Sequence, residues 1–179
     1  MDDMASAMGI SKKTLYQSFE NKEGLVKQVI NHNLQGMKKE IKALSDKQGN
    51  AIEQLIEIQK MLLRFMKNYS NPAQHDLKKY YPLIYRTMYD EYVVMLEKIF
   101  IQNIQKGKRE GLYCEDLNEE IIAKMHTSRI VNLPRNNVIS TEEYTSAEYM
   151  QEMLKYHLRA LLNSKNISSL DKYMNELKQ

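Results

Sequence analysis

Tryptophan is absent from this chain of 179 residues, cysteine occurs once, proline three times and glycine six times. Each scarcity excludes something. A lone Cys114 admits no intramolecular disulfide, which suits a reducing cytoplasm and leaves the thiol as packing or as a redox sensor. Few turn formers, and no alternating Val, Ile and Thr runs between them, argue against sheet and for an all-α fold. No stretch approaches ~18 consecutive apolar residues, so no membrane partner is expected and the chain reads as soluble and cytoplasmic. There is no glycine-rich phosphate loop, no nucleophile-elbow serine and no catalytic partner for Cys114, so nothing supports an enzyme or a cofactor. His32, His75, His126 and His157 are scattered over different predicted helices without metal-ligand spacing, and no metal site is expected.

What is present is concentrated at one end. The formal net charge is only +3, but Gly9 to Lys39 holds six lysines against two glutamates, a local +4 that can attract phosphate. The bland alternative for such lysines is a solvated helix face. The order of residues argues otherwise: Met4, Ala5 and Met8 share one helix face, Gly9 stops that helix, and Ile10 supplies a buried plug. Ser11 is a preferred N-cap, and Leu15 with Phe19 sets a second apolar stripe. The pattern is helix, tight turn, helix. It leaves Lys12, Lys13, Thr14, Tyr16, Gln17 and Ser18 on the outer faces, the side-chain types that donate to phosphates and base edges in a DNA major groove.

The run from Met4 to Leu25, with its Thr-Leu-Tyr core at 14–16, Phe19 and Asn21-Lys22-Glu23 opening the next helix, resembles the helix-turn-helix of TetR-type transcriptional regulators. The likeness covers about the first 45 residues; beyond them only the helix layout is similar. It implies that Ser11, Lys12, Lys13, Thr14, Tyr16 and Lys22 contact DNA, and that Leu15 and Phe19 face the head's own core. It also implies a helix of the head before Asp2, a connector helix from Lys22 and an effector-responsive body. A chain starting at Met1 is then expected to dimerise but to bind operator poorly.

The helix opened by Asn21 carries Leu25, Val29, Leu34, Met37, Ile41 and Leu44 and should end in the polar break Ser45 to Asn50. We therefore divide the chain into residues 1–45, the DNA-binding head with its connector, and 46–179, an all-helical ligand-binding and dimerisation body. In the body, Ile52 to Tyr69 repeats at three and four. Asn71 and Pro72 start a helix that must break near Tyr81, because Pro82 lacks an N–H. Leu83 to Lys106 is apolar on most sides and is expected in the middle of the domain. Ile121, Ile122, Met125, Arg129 and Ile130 mark another helix, closed by Leu133-Pro134. Thr145 and Glu148 read as a capping box ahead of a regular amphipathic stretch, and a last helix holds Ile167, Leu170, Met174 and Leu177.

Twelve tyrosines and twelve methionines are the compositional oddity. Tyr85, Met88, Tyr89 and Tyr92 near the Pro82 break, with Met61, Phe65 and Met66, suit an apolar or aromatic ligand, with plain core as the alternative. The helices from Asn118 and Thr145 have apolar stripes wider than one contact needs, which points to a homodimer through Ile122, Met125, Tyr149, Met153, Leu154, His157, Leu158 and Leu161. For His157 a satisfied core histidine is the competing reading. The resulting expectation is a ligand-responsive regulator, usually a repressor, that binds a near-palindromic operator as a homodimer. Its competitor is a helical ligand-binding or protein-interaction module without DNA binding.

Overall fold

In the computed structural model, which describes residues 1–68, 71–132, 139–140, 143 and 146–176, the two opening helices are short because glycine ends one and serine starts the next. α1 (Asp2–Ala7) gives way to Gly9 at φ +65°, a left-handed conformation that favours glycine. α2 (Lys12–Ser18) begins behind Ser11. Ala5 and Leu15 are buried between these elements and their surroundings, while Ile10 is only partly covered. Phe19 lies past the end of α2 in extended backbone, so the expected stripe with Leu15 is made from outside the helix.

α3 (Lys22–Asp46) is 25 residues long and is capped by Asn21, whose Oδ1 accepts the Gly24 N–H at 2.8 Å. Its inner face is Leu25, Ile30, Leu34 and Met37. Val29, expected inside, is exposed because Ile30 takes the inward position. The break expected at Ser45 begins after Asp46.

α4 (Ala51–Asn68) starts with a reciprocal cap that the sequence carries as Asn50-x-x-Glu53. Asn50 Oδ1 accepts the N–H groups of Ile52 and Glu53, and the Glu53 carboxylate accepts the Asn50 N–H, all at 3.0 Å. The remaining early donor, the Ala51 N–H, goes to Glu110 at 2.7 Å. All four donors that this helix start leaves open are thus met by side chains.

α5 (Asn71–Tyr80) begins one residue earlier than Pro72 at N1 would require. It ends at Tyr80, and after Tyr81 α6 (Pro82–Arg109) starts with proline at its first position. The expected break therefore falls at Tyr81–Pro82. α6 contacts α3, α4, α5 and α7 (Glu119–Asn132), but only its C-terminal half is enclosed. Leu83 and Val94 are exposed, contrary to an apolar segment buried along its whole length. α6 passes through Gly107, where a Cβ would lie 2.1 Å from Tyr113 Cδ2, so only glycine lets that ring close over the helix.

α8 (Ala147–Leu161) is capped by Ser146, whose hydroxyl accepts the Tyr149 N–H at 3.1 Å. The expected cap, Thr145, is one residue too early and lies outside the described residues, as do Tyr69, Leu133-Pro134 and Leu177. Nothing is described of the side chains of Met66, Asn71 and Pro72. A 3₁₀ turn (Ile167–Ser169) leads into α9 (Leu170–Glu176). The main core joins Ile52, Leu55, Ile58 and Leu62 of α4 to Leu96, Phe100 and Ile104 of α6, with Ala123 and Ile130 of α7 and Leu154, Leu158 and Leu161 of α8. Each of the large apolar side chains among them contributes about 1.5–3 kcal/mol by burial.

Candidate nucleic-acid interface and effector site

The head presents its polar residues outward. Ser11 Oγ accepts the Thr14 N–H at 3.0 Å and shares a hydrogen with Thr14 Oγ1 at 2.7 Å, fixing the first turn of α2. Lys12 Nζ lies 2.9 Å from Asp2 Oδ2, an exposed pair that ties α1 to α2. The hydrogen bond to Lys12 lowers the Asp2 carboxyl pKa, and the same bond raises that of Lys12. Ser11, Lys12, Lys13, Thr14, Tyr16 and Lys22 are all exposed, whereas Leu15 between them is buried. Lys22 is the first residue of α3, where unpaired amides and the helix dipole favour an anion.

Behind the head, α3 is held to the body in two ways. Lys38 reaches Glu91 of α6 at 3.0 Å, and Arg64 of α4 pairs with Glu40. Beneath these, Ile30 and Leu34 of α3 meet Leu77 of α5, with Tyr81, Tyr85 and Met88 packed around them. Tyr85 and Tyr89 stack at 6.3 Å between ring centres. Tyr89 and Tyr92 pack instead on the main core, with Phe65; Met61 is fully buried in it. Burial pushes the Tyr92 phenol well above its ordinary pKa. Of the six expected ligand residues, Met61, Phe65, Tyr89 and Tyr92 thus belong with the main core, and Tyr85 and Met88 with the smaller cluster. A cleft the sequence did not suggest, about 290 Å³, opens between the end of α3 and the start of α4, lined by Leu44, Lys47, Glu53, Ile56, Lys60 and Tyr173.

The body also holds a polar cluster inside its core. His126 of α7 and His157 of α8 stack at 3.8 Å between ring centres, and Phe100 of α6 meets His126 edge-on at 4.2 Å. Gln59 of α4 donates its amide to His126 Nε2. Arg129 is partly covered; burial lowers its pKa, and the Tyr149 phenol acts in the opposite direction. Burial, then the neighbouring charge of Arg129, pulls His157 down to about 4. For His126, burial comes first, followed by His157 and Arg129, and its pKa lies well below the usual imidazole range. Sequence spacing missed this convergence because its members come from four helices.

No protein-family model matches the sequence and no curated protein matches it, so the likeness to known proteins is one of backbone. A crystal structure of a gamma-butyrolactone receptor (ArpA-like protein) superposes at a TM-score of 0.72 with 14% identity, covering 100% of this chain and 85% of that one. A second structure of that description gives 0.66 at 14% identity, covering 100% and 84%. The ketosteroid transcriptional regulator KstR2 of Mycobacterium tuberculosis gives 0.57 at 16% identity, covering 91% and 84%. These neighbours are TetR-family regulators. The chain has the TetR-type fold.

Within a TetR-type fold the expected pairing face needs revision. Leu154, Leu158 and Leu161 are at most 5% exposed within the single chain and belong to its own core. On α7 the buried residues are Ala123, His126, Thr127, Ile130 and Val131, so the inward face is rotated from the expected one. Ile121 and Met125 point outward, 55% and 65% exposed, and Tyr156 of α8 does the same. Ile122, Tyr149, Met153 and His157 are partly covered. Among the described residues no helix is long and apolar enough to cross a membrane.

Proposed function

We propose that this protein is a ligand-responsive transcriptional regulator that binds a near-palindromic operator as a homodimer, acting as a repressor that a small molecule releases. The observation that supports it best is the head: a glycine-broken, serine-capped helix pair whose outer surface is Lys12, Lys13, Thr14, Tyr16 and Ser11 while Leu15 turns inward. Lys13 and Thr14 read base edges; Tyr16 and Lys22 hold phosphates. The division into a head of residues 1–45 and a body of 46–179 belongs to this reading, as do the Met125 and Tyr149 faces as the dimer contact.

Release follows from the apolar cluster under the Tyr81–Pro82 break. Tyr85 and Met88 pack directly on Ile30 and Leu34, so a ligand wedged beside them displaces α3 and, with it, α2. The neighbours are a gamma-butyrolactone receptor and a ketosteroid regulator, which favours an apolar effector bearing oxygen acceptors. The test is selection of duplexes from a random pool by the full-length gene product. Enrichment of two inverted half-sites one helical turn apart supports the reading; a pool that never enriches contradicts it.

A further inference from the structure

Lys12 is the first residue of α2, and the first residues of a recognition helix are those that meet base edges in the major groove. Its ammonium is already held. Nζ lies 2.9 Å from Oδ2 of Asp2, the first residue of α1, so one bond across ten positions of sequence joins the starts of the two helices. Both side chains are exposed, and an exposed pair adds little to the stability of a fold. What it adds is orientation. An unrestrained lysine on a helix surface samples many rotamers, whereas this one is fixed at its tip before it meets a ligand. An ammonium has three donors, and two remain once Asp2 has taken one. Guanine presents two acceptors, N7 and O6, on its major-groove edge. Asp3, the other acid of the same turn, is equally exposed and makes no bond to a lysine among the described residues.

We propose that Asp2 is a positioning residue for base readout: it holds the Lys12 ammonium at the start of α2 so that the two remaining donors meet N7 and O6 of one guanine in each half-site. This rests on the DNA-binding reading above, and adds to it a further base-reading side chain and the base that it reads. The carboxylate also discriminates against other sequences. It offsets the charge of Lys12, so the lysine contributes little to phosphate attraction that is blind to sequence.

The test repeats the selection from a random duplex pool with the full-length gene product, unmodified and as Lys12→Ala, Asp2→Asn, Asp2→Glu and Asp3→Asn. Each protein is then titrated by fluorescence anisotropy on the selected duplex and on a scrambled one. Lys12→Ala and Asp2→Asn should relax the preference for guanine at the same position of the half-site, and Asp2→Asn should lower the ratio of selected to scrambled affinity about fivefold. Asp3→Asn removes the same charge from the same turn; it should tighten binding to both duplexes alike and relax no position. Asp2→Glu should keep the guanine, and the melting temperature should be unchanged throughout because the pair is exposed. An Asp2→Asn protein that behaves as Asp3→Asn does overturns the proposal, since the pair then orients nothing. One that weakens binding to both duplexes equally also overturns it, since Asp2 then only ties α1 to α2. A pool that never enriches with the unmodified protein removes the DNA-binding reading and the proposal together, whereas an enriched site whose guanine positions are indifferent to Lys12→Ala removes the proposal alone.

Discussion

Lys13 and Lys22 are both exposed lysines of the head, yet their surroundings give them different work. Lys22 opens a capped helix, where the proposed reading places a phosphate, and Lys13 sits in the first turn of α2. Lys22→Ala and Tyr16→Phe should weaken binding to every duplex, and Lys22→Ala should lower the salt slope by about one. Changes at Lys13 or Thr14 should reorder preference among duplexes; uniform losses on all sequences would remove them from base readout. Ser11 and Thr14 share a hydrogen with each other, so the DNA contacts proposed for them would compete with a bond already made. A second residue-level consequence concerns acid. His157 titrates near 4 in the folded chain against ~6.5 unfolded, so the unfolded chain takes up its proton first as pH falls. The stability it contributes is complete above about pH 6.5 and is lost toward pH 4, at most about 3 kcal/mol for this residue. His126 acts in the same direction. Urea midpoints measured between pH 8 and 4 should fall over that window, and His157→Gln should flatten the curve; a level profile in the unmodified protein would show these imidazoles reach water.

At the scale of elements, the local signals were legible and the facing of helices was not. Gly9, Ser11, Asn21 and Pro82 each set a boundary through backbone conformation or a cap, and a boundary needs only neighbours in sequence. The inward faces of α3 and α7 were misjudged because near-equivalent apolar pairs, Val29 with Ile30 and Ile121 with Ile122, leave rotation about the axis open. Tertiary contact decides between them. The polar interior was hidden for a like reason: Gln59, His126 and His157 converge only when three helices pack. The Asn50 and Glu53 cap, by contrast, could have been read directly from its spacing. Asn50→Ala should cost about 1 kcal/mol by urea denaturation. Gly107→Ala forces a methyl into the Tyr113 ring and should cost about 1–3 kcal/mol, with Tyr113→Leu in the same chain recovering part of it.

For the whole molecule, burial separates fold from assembly. Met125→Glu places a charge on a residue that the single chain leaves exposed, so the fold should survive while sedimentation reports a monomer. Leu154→Glu puts the charge in the chain's own core and should unfold the body, by several kcal/mol. A Met125→Glu protein that stays dimeric would move the pairing face elsewhere. The head, the connector and the fold of the body together make DNA binding the central claim. Its most direct measurement is fluorescence anisotropy of a selected duplex titrated with the full-length gene product across a salt series, with Lys22→Ala run alongside. The account predicts affinity falling linearly on a log–log scale with a slope of several units, and a slope about one unit shallower for the variant; no binding at low salt, or one slope shared by both proteins, would contradict it.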